Sequence, residues 1–221
     1  MNEETTEILV ESAGTPLPAF LTLPTEPKGL VIFVHGSGSS RFSSRNRFVA
    51  QVLSKAGLAT LLFDLLTEEE GRVDAITAEL RFNIPLLIER TTGTLDWVVS
   101  QPALNAWPIG LFGASTGAAA ALGAAAERPG SVSAVVSRGG RPDLAIPLLP
   151  RVKAPTLFIV GERDTTVLEL NRKAAAAMQA PWELAIVPGA THLFEEPGTL
   201  EQAAALARGW FLRYLPGDTP E

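Results

Sequence analysis

Few side chains in this sequence can do covalent chemistry, and their order along the chain is informative. Gly113-Ala114-Ser115-Thr116-Gly117 sets a serine between two glycines, after the apolar run 107–112 and before a run of alanines. A serine on a sharp strand-to-helix turn has its hydroxyl lifted clear of the backbone. The flanking positions must be small, because strand and helix nearly touch there. Ser115 is therefore the candidate nucleophile. A hydroxyl needs a base, and there are two histidines, His35 and His192. His35 precedes the serine and directly ends an apolar run, so a structural role is expected, its ring bonding loop backbone. His192 follows the last apolar run by a short loop and is the candidate general base. A carboxylate should orient that imidazole and stabilise its protonated form. The segment PTLFIVGERD, ending the penultimate strand, offers Glu162 and Asp164. Asp164 is better placed, because the first loop residues continue along the strand before the chain swings back; Glu162 remains the alternative. The absence of cysteine excludes thiolate nucleophiles, disulfides, iron–sulfur clusters and thiolate zinc. With both histidines assigned, no metal and no cofactor are expected.

Acyl chemistry at a serine also needs two N–H donors aimed at the oxygen that becomes charged. Thr116, following the nucleophile, supplies one. The other is expected from His35-Gly36-Ser37-Gly38-Ser39-Ser40, directly after a buried apolar run, with Ser37 preferred and Gly38 as the fallback. Gly36, Arg41, Phe82 and Leu193 are expected to meet the substrate, with Phe42, Ile84, Leu86 and Leu87 as further apolar wall candidates. Arg41, Arg45 and Arg47 cluster after this loop, and Glu68, Glu69 and Glu70 follow the neighbouring strand. Such charge runs are usually solvated or paired with each other. The sharper reading is that Arg41 or Arg45 reads a carboxylate or phosphate on the substrate. Arg138 and Arg141 in SRGGRPD pose the same choice.

These residues need a scaffold, and the apolar pattern supplies one. Residues 6–11 and 17–23 read as a hairpin around Gly14. Continuous apolar runs at 29–34, 58–63, 108–112, 132–137, 155–160 and 183–187 read as buried strands. Helical periodicity is expected over 45–56, 73–100 with a break near Pro85, 115–127, 171–179 and 199–214. A hairpin followed by six strands alternating with helices predicts an α/β fold, a doubly wound and mostly parallel eight-stranded sheet with helices on both faces. Only the segment 65–92 could cover the site, and much of it must form a crossover helix. Little or no cap and a small, open acyl pocket follow.

The 221 residues are 46% hydrophobic and 19% charged, which fits a single domain over 1–221 with a core that needs no staples. A net charge of −6 argues against nucleic acid as a partner. The start MNEETTEILV is acidic where a signal peptide would be basic, and no apolar run approaches a membrane span. A cytoplasmic protein with a small-molecule ester as its partner is expected, a monomer or small homo-oligomer, with no membrane contact.

Taken together, HGSGSS, the G-x-S-x-G pentapeptide, GERD and GATHLFEEPG resemble the dienelactone-hydrolase-like branch of the α/β-hydrolase superfamily. HGSGSSRFSSRNR, FDLLTEEE, RFNIPLL, SRGGRPDLA and ATHLFEEPGTLE extend the likeness over nearly the whole chain, toward small bacterial hydrolases of which some are fused to phosphoribosyltransferase domains. The resemblance implies an α/β-hydrolase fold and carboxylester hydrolysis through Ser115, Asp164 and His192. It departs from dienelactone hydrolases proper at the nucleophile, a cysteine there and Ser115 here, which argues against dienelactone as the substrate. Two other readings use the same residues. The acyl-enzyme could pass its acyl group to another acceptor, as an acyltransferase, perhydrolase or amidase does, or the fold could serve as a binding module without turnover.

Overall fold

A computed structural model describes residues 4–215. Its strands are β1 (Glu4–Ser12), β2 (Thr15–Leu23), β3 (Leu30–Val34), β4 (Ala59–Phe63), β5 (Ile109–Ala114), β6 (Ala134–Arg138), β7 (Thr156–Gly161) and β8 (Trp182–Val187). They form one sheet in the order β1-β2-β4-β3-β5-β6-β7-β8. The hairpin β1–β2 pairs antiparallel, and β2 meets β4 antiparallel. From β4 outward to β8 every pairing is parallel. All eight expected strands are present, with ends shifted by a few residues at most.

The helices are α1 (Ser44–Lys55), α2 (Glu68–Thr77), α3 (Ile84–Ser100), α4 (Thr116–Glu127), α5 (Thr165–Ala175) and α6 (Thr199–Tyr214). Side chains alternate across the pleat, so each central strand feeds two cores. Leu30, Ile32 and Val34 pack with α3 and α4, whereas Val31 and Phe33 pack with α1 and α6. This two-sided burial is why the central strands read as unbroken apolar runs. The alanines of α4 let it sit deep: residues 116–126 are all buried, and a Cβ on Gly123 would strike the Ile88 side chain of α3. A helix apolar all round belongs inside, and this one brings its N-terminus against the sheet.

Three elements depart from the expected pattern. α2 begins at Glu68, within the acidic stretch after β4 and ahead of the expected helical start at 73. The Thr67 hydroxyl accepts from Glu70 N–H and the Glu70 carboxylate accepts from Thr67 N–H, a capping box, and acids in the first turn suit the helix dipole. α5 starts at Thr165, six residues earlier than expected. A string of 3₁₀ turns over Pro142–Arg151, absent from the sequence reading, carries three prolines that hold it out of α geometry. Between β4 and α3 the chain adds only α2 and the 3₁₀ turn Leu80–Phe82, so the cap is minimal. Among the described residues no helix is long and apolar enough to cross a membrane.

Candidate active site

Ser115 sits where β5 ends and α4 begins, with φ +52° and ψ −124°. A non-glycine residue there costs about 1–3 kcal/mol, so the surroundings must impose it. Three backbone bonds do: Ser115 N–H donates to Arg138 O at 3.2 Å, and Ser115 O accepts from Ala118 N–H at 3.1 Å and Arg141 N–H at 3.0 Å. A Cβ on Gly113 would collide with Ala118 backbone, and one on Gly117 with the carbonyl oxygens of Val34 and His35. The pentapeptide glycines are thus required by close approach. As the first residue of α4, Thr116 has an N–H with no intrahelical acceptor.

The sheet order carries His192 and Asp164 to the same edge. β7 and β8 lie beside β6, and the loops leaving their C-terminal ends meet over Ser115. His192 Nε2 lies 3.4 Å from Ser115 Oγ, and His192 Nδ1 lies 2.6 Å from Asp164 Oδ2. With Nδ1–H donating to the carboxylate, Nε2 is left as the acceptor facing the serine hydroxyl. Asp164 occupies the cap position of α5 yet makes no cap bond, its side chain being turned to the imidazole. The other nearby acids are engaged elsewhere. Glu162 accepts the Gly189 N–H at 2.8 Å, which steadies the turn before His192. Asp143 pairs with Arg141, Glu196 accepts the Thr191 N–H, and Glu195 faces Arg45. Bonding to Thr191 holds the Glu196 carboxyl below the usual carboxylate range.

His35 is the buried structural ring. Its Nε2 accepts the Leu65 N–H at 3.0 Å; a backbone amide can only donate, so Nδ1 carries the proton and donates to Gly36 O at 2.9 Å. Burial lowers its pKa from the ordinary 6.5. The unfolded chain then binds a proton that the native state refuses, so stability falls as pH drops below about 6.5. Urea unfolding at pH 7.5 and 5.5 should show wild type losing more stability than His35→Gln, whose amide oxygen can accept from Leu65 without titrating. An equal loss in both would remove His35 as the cause.

The loop after β3 also holds a surprise. The Ser37 N–H, expected to be an oxyanion donor, donates to Thr116 Oγ1 at 2.9 Å, tying the loop to the elbow. Gly36 lies against the nucleophile, where an added Cβ would come 3.0 Å from the Ser115 Cβ. Gly38 has φ +68° and allows the turn that follows.

Two cavities meet at this loop, sharing Gly36, Ser37 and Ser39. The smaller, ≈ 250 Å³, is lined by Ser115, His192 and Leu193, with Ser43, Arg45, Asn46 and Arg138 on its far side. The larger, ≈ 710 Å³, runs beneath α2 and includes Phe42, Leu65, Leu87 and Arg81. Leu193 therefore lines the cavity beside Ser115 and Arg41 lines the larger one, whereas Phe82 lines neither. Arg41 is committed within the fold: its backbone N–H and its guanidinium bind Asp64, Nη2 binds Glu7 at 2.8 Å, and the rings of Phe20 and Phe42 flank it. A guanidinium with two carboxylate partners has little left to offer a substrate, although Arg41 does line the larger cavity. Phe82 is 58% exposed on its 3₁₀ turn and lines neither cavity. The turn instead directs Arg81 inward, paired with the buried Asp74, whose carboxyl stays below its usual range despite burial because Arg81 and two backbone N–H groups bind it. Of the remaining charge run, Glu68 pairs with Arg72 and Glu70 with Arg90, while Arg47 and Glu69 form no ion pair among the described residues. Asn46, buried beside Arg138, was not singled out by sequence, because an asparagine within a polar helix start carries no distinctive signal.

A family model described as the dienelactone hydrolase family matches residues 17–214. A solved dienelactone hydrolase from Anabaena variabilis superposes with a TM-score of 0.96 at 52% identity, over 97% of this chain and 100% of that one. Est1E from Butyrivibrio proteoclasticus has a TM-score of 0.78 at 16% identity, over 94% of this chain and 98% of its own, which is a likeness of fold alone. A Mycobacterium tuberculosis protein named provisionally as a phosphoribosyl transferase is 56% identical over 214 residues, 97% of this chain but 47% of that protein. The chain thus spans about half the length of the curated relatives it matches. A match of this extent, joined to a serine elbow at the end of β5 and a mostly parallel eight-stranded sheet, places the chain in the dienelactone hydrolase family of α/β hydrolases.

Proposed function

We propose that the chain is a serine hydrolase that cleaves short-chain carboxylic esters through an acyl-enzyme. One observation carries this reading: the relay from Ser115 Oγ through His192 to Asp164, seated on a strained elbow. His192 Nε2 takes the Ser115 proton as the hydroxyl attacks the ester carbonyl, and Asp164 stabilises the imidazolium that forms. The carbonyl oxygen, now charged, receives the Thr116 N–H and the Ser37 N–H, the latter exchanging the Thr116 hydroxyl for the substrate. His192 returns its proton to the leaving alcohol, and water repeats the cycle to release the acid. The contact of 3.4 Å between hydroxyl and imidazole is loose, as such contacts commonly are before substrate tightens them.

The phosphoribosyl-transfer name of the Mycobacterium relative is not carried over. The chain spans 47% of that protein, and the hydrolase family model accounts for 17–214 of its own residues. The cavity at Ser115, ≈ 250 Å³, suits a short acyl group. Hydrolysis of p-nitrophenyl esters from acetate to decanoate should peak at the short end, and a fluorophosphonate probe should label Ser115 alone, located by peptide mass. Rates no higher than solvent background, together with an unlabelled serine, would sink the proposal.

A further inference from the structure

Gly71 stands in the middle of α2 without a structural reason to be glycine. Its backbone is helical, where glycine is a poor choice, and a Cβ added there would meet nothing within 4 Å outside its own turns of helix. Gly113 and Gly117 differ, since a Cβ on either strikes backbone. What a side chain at 71 would enter is the larger cavity. Glu68, Gly71, Arg72 and Ala75 all line it, a spacing that puts them on one face of the helix. α2 spans this space rather than packing into it. Of its residues only Asp74 is buried, and ion pairs hold the helix in place, Glu70 with Arg90 at 2.7 Å and Asp74 with Arg81 at 2.6 Å.

The charges on the wall cancel. Three arginines and three carboxylates line the cavity, and each arginine is matched to one of them, Arg41 to Asp64, Arg72 to Glu68 and Arg81 to Asp74. His35, also on the wall, has its pKa lowered by burial and is neutral at pH 7. An ion entering here would have to break such a pair or stay unpaired, whereas an uncharged group pays neither cost. The rest of the wall mixes apolar side chains, among them Phe42, Leu65 and Leu87, with the hydroxyls of Ser39 and Ser40. At ≈ 710 Å³ the space is in the range that takes a whole small molecule. The smaller cavity, ≈ 250 Å³, holds Ser115 and, on the ester-hydrolase reading, the acyl group. The two meet along Gly36, Ser37 and Ser39, so an ester held at Ser115 has its alcohol left to place in the larger one. We infer that the cavity beneath α2 seats the alcohol part of the ester, that this alcohol is bulky and uncharged, and that the missing side chain at Gly71 admits it. This deepens the ester-hydrolase reading and rests on it. The substrate is then a short acyl group on a large neutral alcohol. Once the acyl group is on Ser115, the alcohol takes the His192 proton and departs from the larger cavity.

The test compares methyl acetate with 3,3-dimethylbutyl acetate, and the latter with two charged esters of the same shape, acetylcholine and 4-acetoxy-2,2-dimethylbutanoate. Each rate is divided by the hydroxide-catalysed rate of its ester. Wild type should favour the 3,3-dimethylbutyl over the methyl ester in kcat/KM by about tenfold or more, part of what burying five further carbons is worth, and over each charged ester by a similar factor. The bulky-to-methyl ratio should fall stepwise toward one through Gly71→Ala, Gly71→Leu and Gly71→Phe, whatever happens to absolute rates. Val73→Phe adds the same ring to the exposed face of α2 turned away from the cavity and should keep the wild-type ratio. The Gly71 variants should melt no lower than wild type, since each new residue suits a helix better than glycine; a ratio lost only in variants that melt lower counts against the subsite. A wild-type ratio near one, a ratio that survives Gly71→Phe or is lost equally in Val73→Phe, or a charged ester preferred to the neutral one overturns the inference. Methyl esters from acetate to hexanoate read the acyl end, and their relative rates should be alike in wild type and Gly71→Phe. A profile shortened in Gly71→Phe, with the alcohol ratio intact, would put the acyl chain beneath α2 and overturn the assignment. If no ester is cleaved, the hydrolase reading fails by itself, and binding of 3,3-dimethylbutanol followed by saturation-transfer NMR decides the subsite. A signal lost in Gly71→Phe would uphold it, and a signal equal in both or absent from both would overturn it.

Discussion

Ser115→Ala should lower kcat for p-nitrophenyl acetate by on the order of 10⁵–10⁶, leaving only the residual rate that binding and the oxyanion donors provide. The size follows from the chemistry, since no other hydroxyl shares the His192 Nε2 contact among the described residues. The substitution removes one oxygen and keeps the Cβ, so the elbow, held by backbone bonds from Arg138, Ala118 and Arg141, stays in place. Ser115→Gly gives a sharper version. It should be as inactive, yet more stable by about 1 kcal/mol, because glycine relieves the strain at φ +52°. Activity within tenfold of wild type in either variant would show that the hydrolysis arises elsewhere. A drop in melting temperature for Ser115→Gly would show that the turn is not strained.

Asp164→Asn should cost about 10⁴ in kcat with little change in KM. The carboxylate accepts from His192 Nδ1 at 2.6 Å, which fixes the tautomer that leaves Nε2 free to take the serine proton. An amide in its place can present its own N–H to Nδ1, drive the ring proton to Nε2, and point that proton at Ser115. It also withdraws the negative charge that stabilises the imidazolium. Glu162→Gln is the contrasting measurement, because that carboxylate supports the loop through the Gly189 N–H and does not reach the ring. It should cost less than about tenfold, with the pH–rate profile unmoved. A large loss in Glu162→Gln with Asp164→Asn nearly silent would exchange the two roles.

How much of this could be read before folding differs sharply between residues. The elbow is a local device: strand, small residue, serine, small residue and helix are contiguous, so residues 113–117 declared themselves. His192 and Asp164 were accessible because chain order and the ends of apolar runs place them at one edge of a parallel sheet, where every strand points the same way. The acidic run opening α2 misled, because its charges cap and flank a helix where isolated charges suggest a loop. Phe82 misled because a 3₁₀ turn rotates neighbours by a different angle, and Arg81 took the inward place.

Arg41 and Arg138 mark the limit most clearly. Arg41 follows the loop after β3 and is expected from the sequence to meet the substrate, while Arg138, the last residue of β6, leaves the choice between a paired charge and an anion reader open. Arg41 meets Asp64 and Glu7, the second 34 residues away on the hairpin; the Arg138 guanidinium hydrogen-bonds, among the described residues, to Asn46 alone, 92 residues away. The sequence by itself determined the strands, the order of the sheet's chemistry-bearing loops and the small-residue turn, because each depends on period and on contiguous residues. Only the tertiary structure decided which charges are paired and which are left facing the cavity. Coulomb attraction depends on separation in space, and the separation between distant segments is set by packing of the sheet and its helices rather than by residue type.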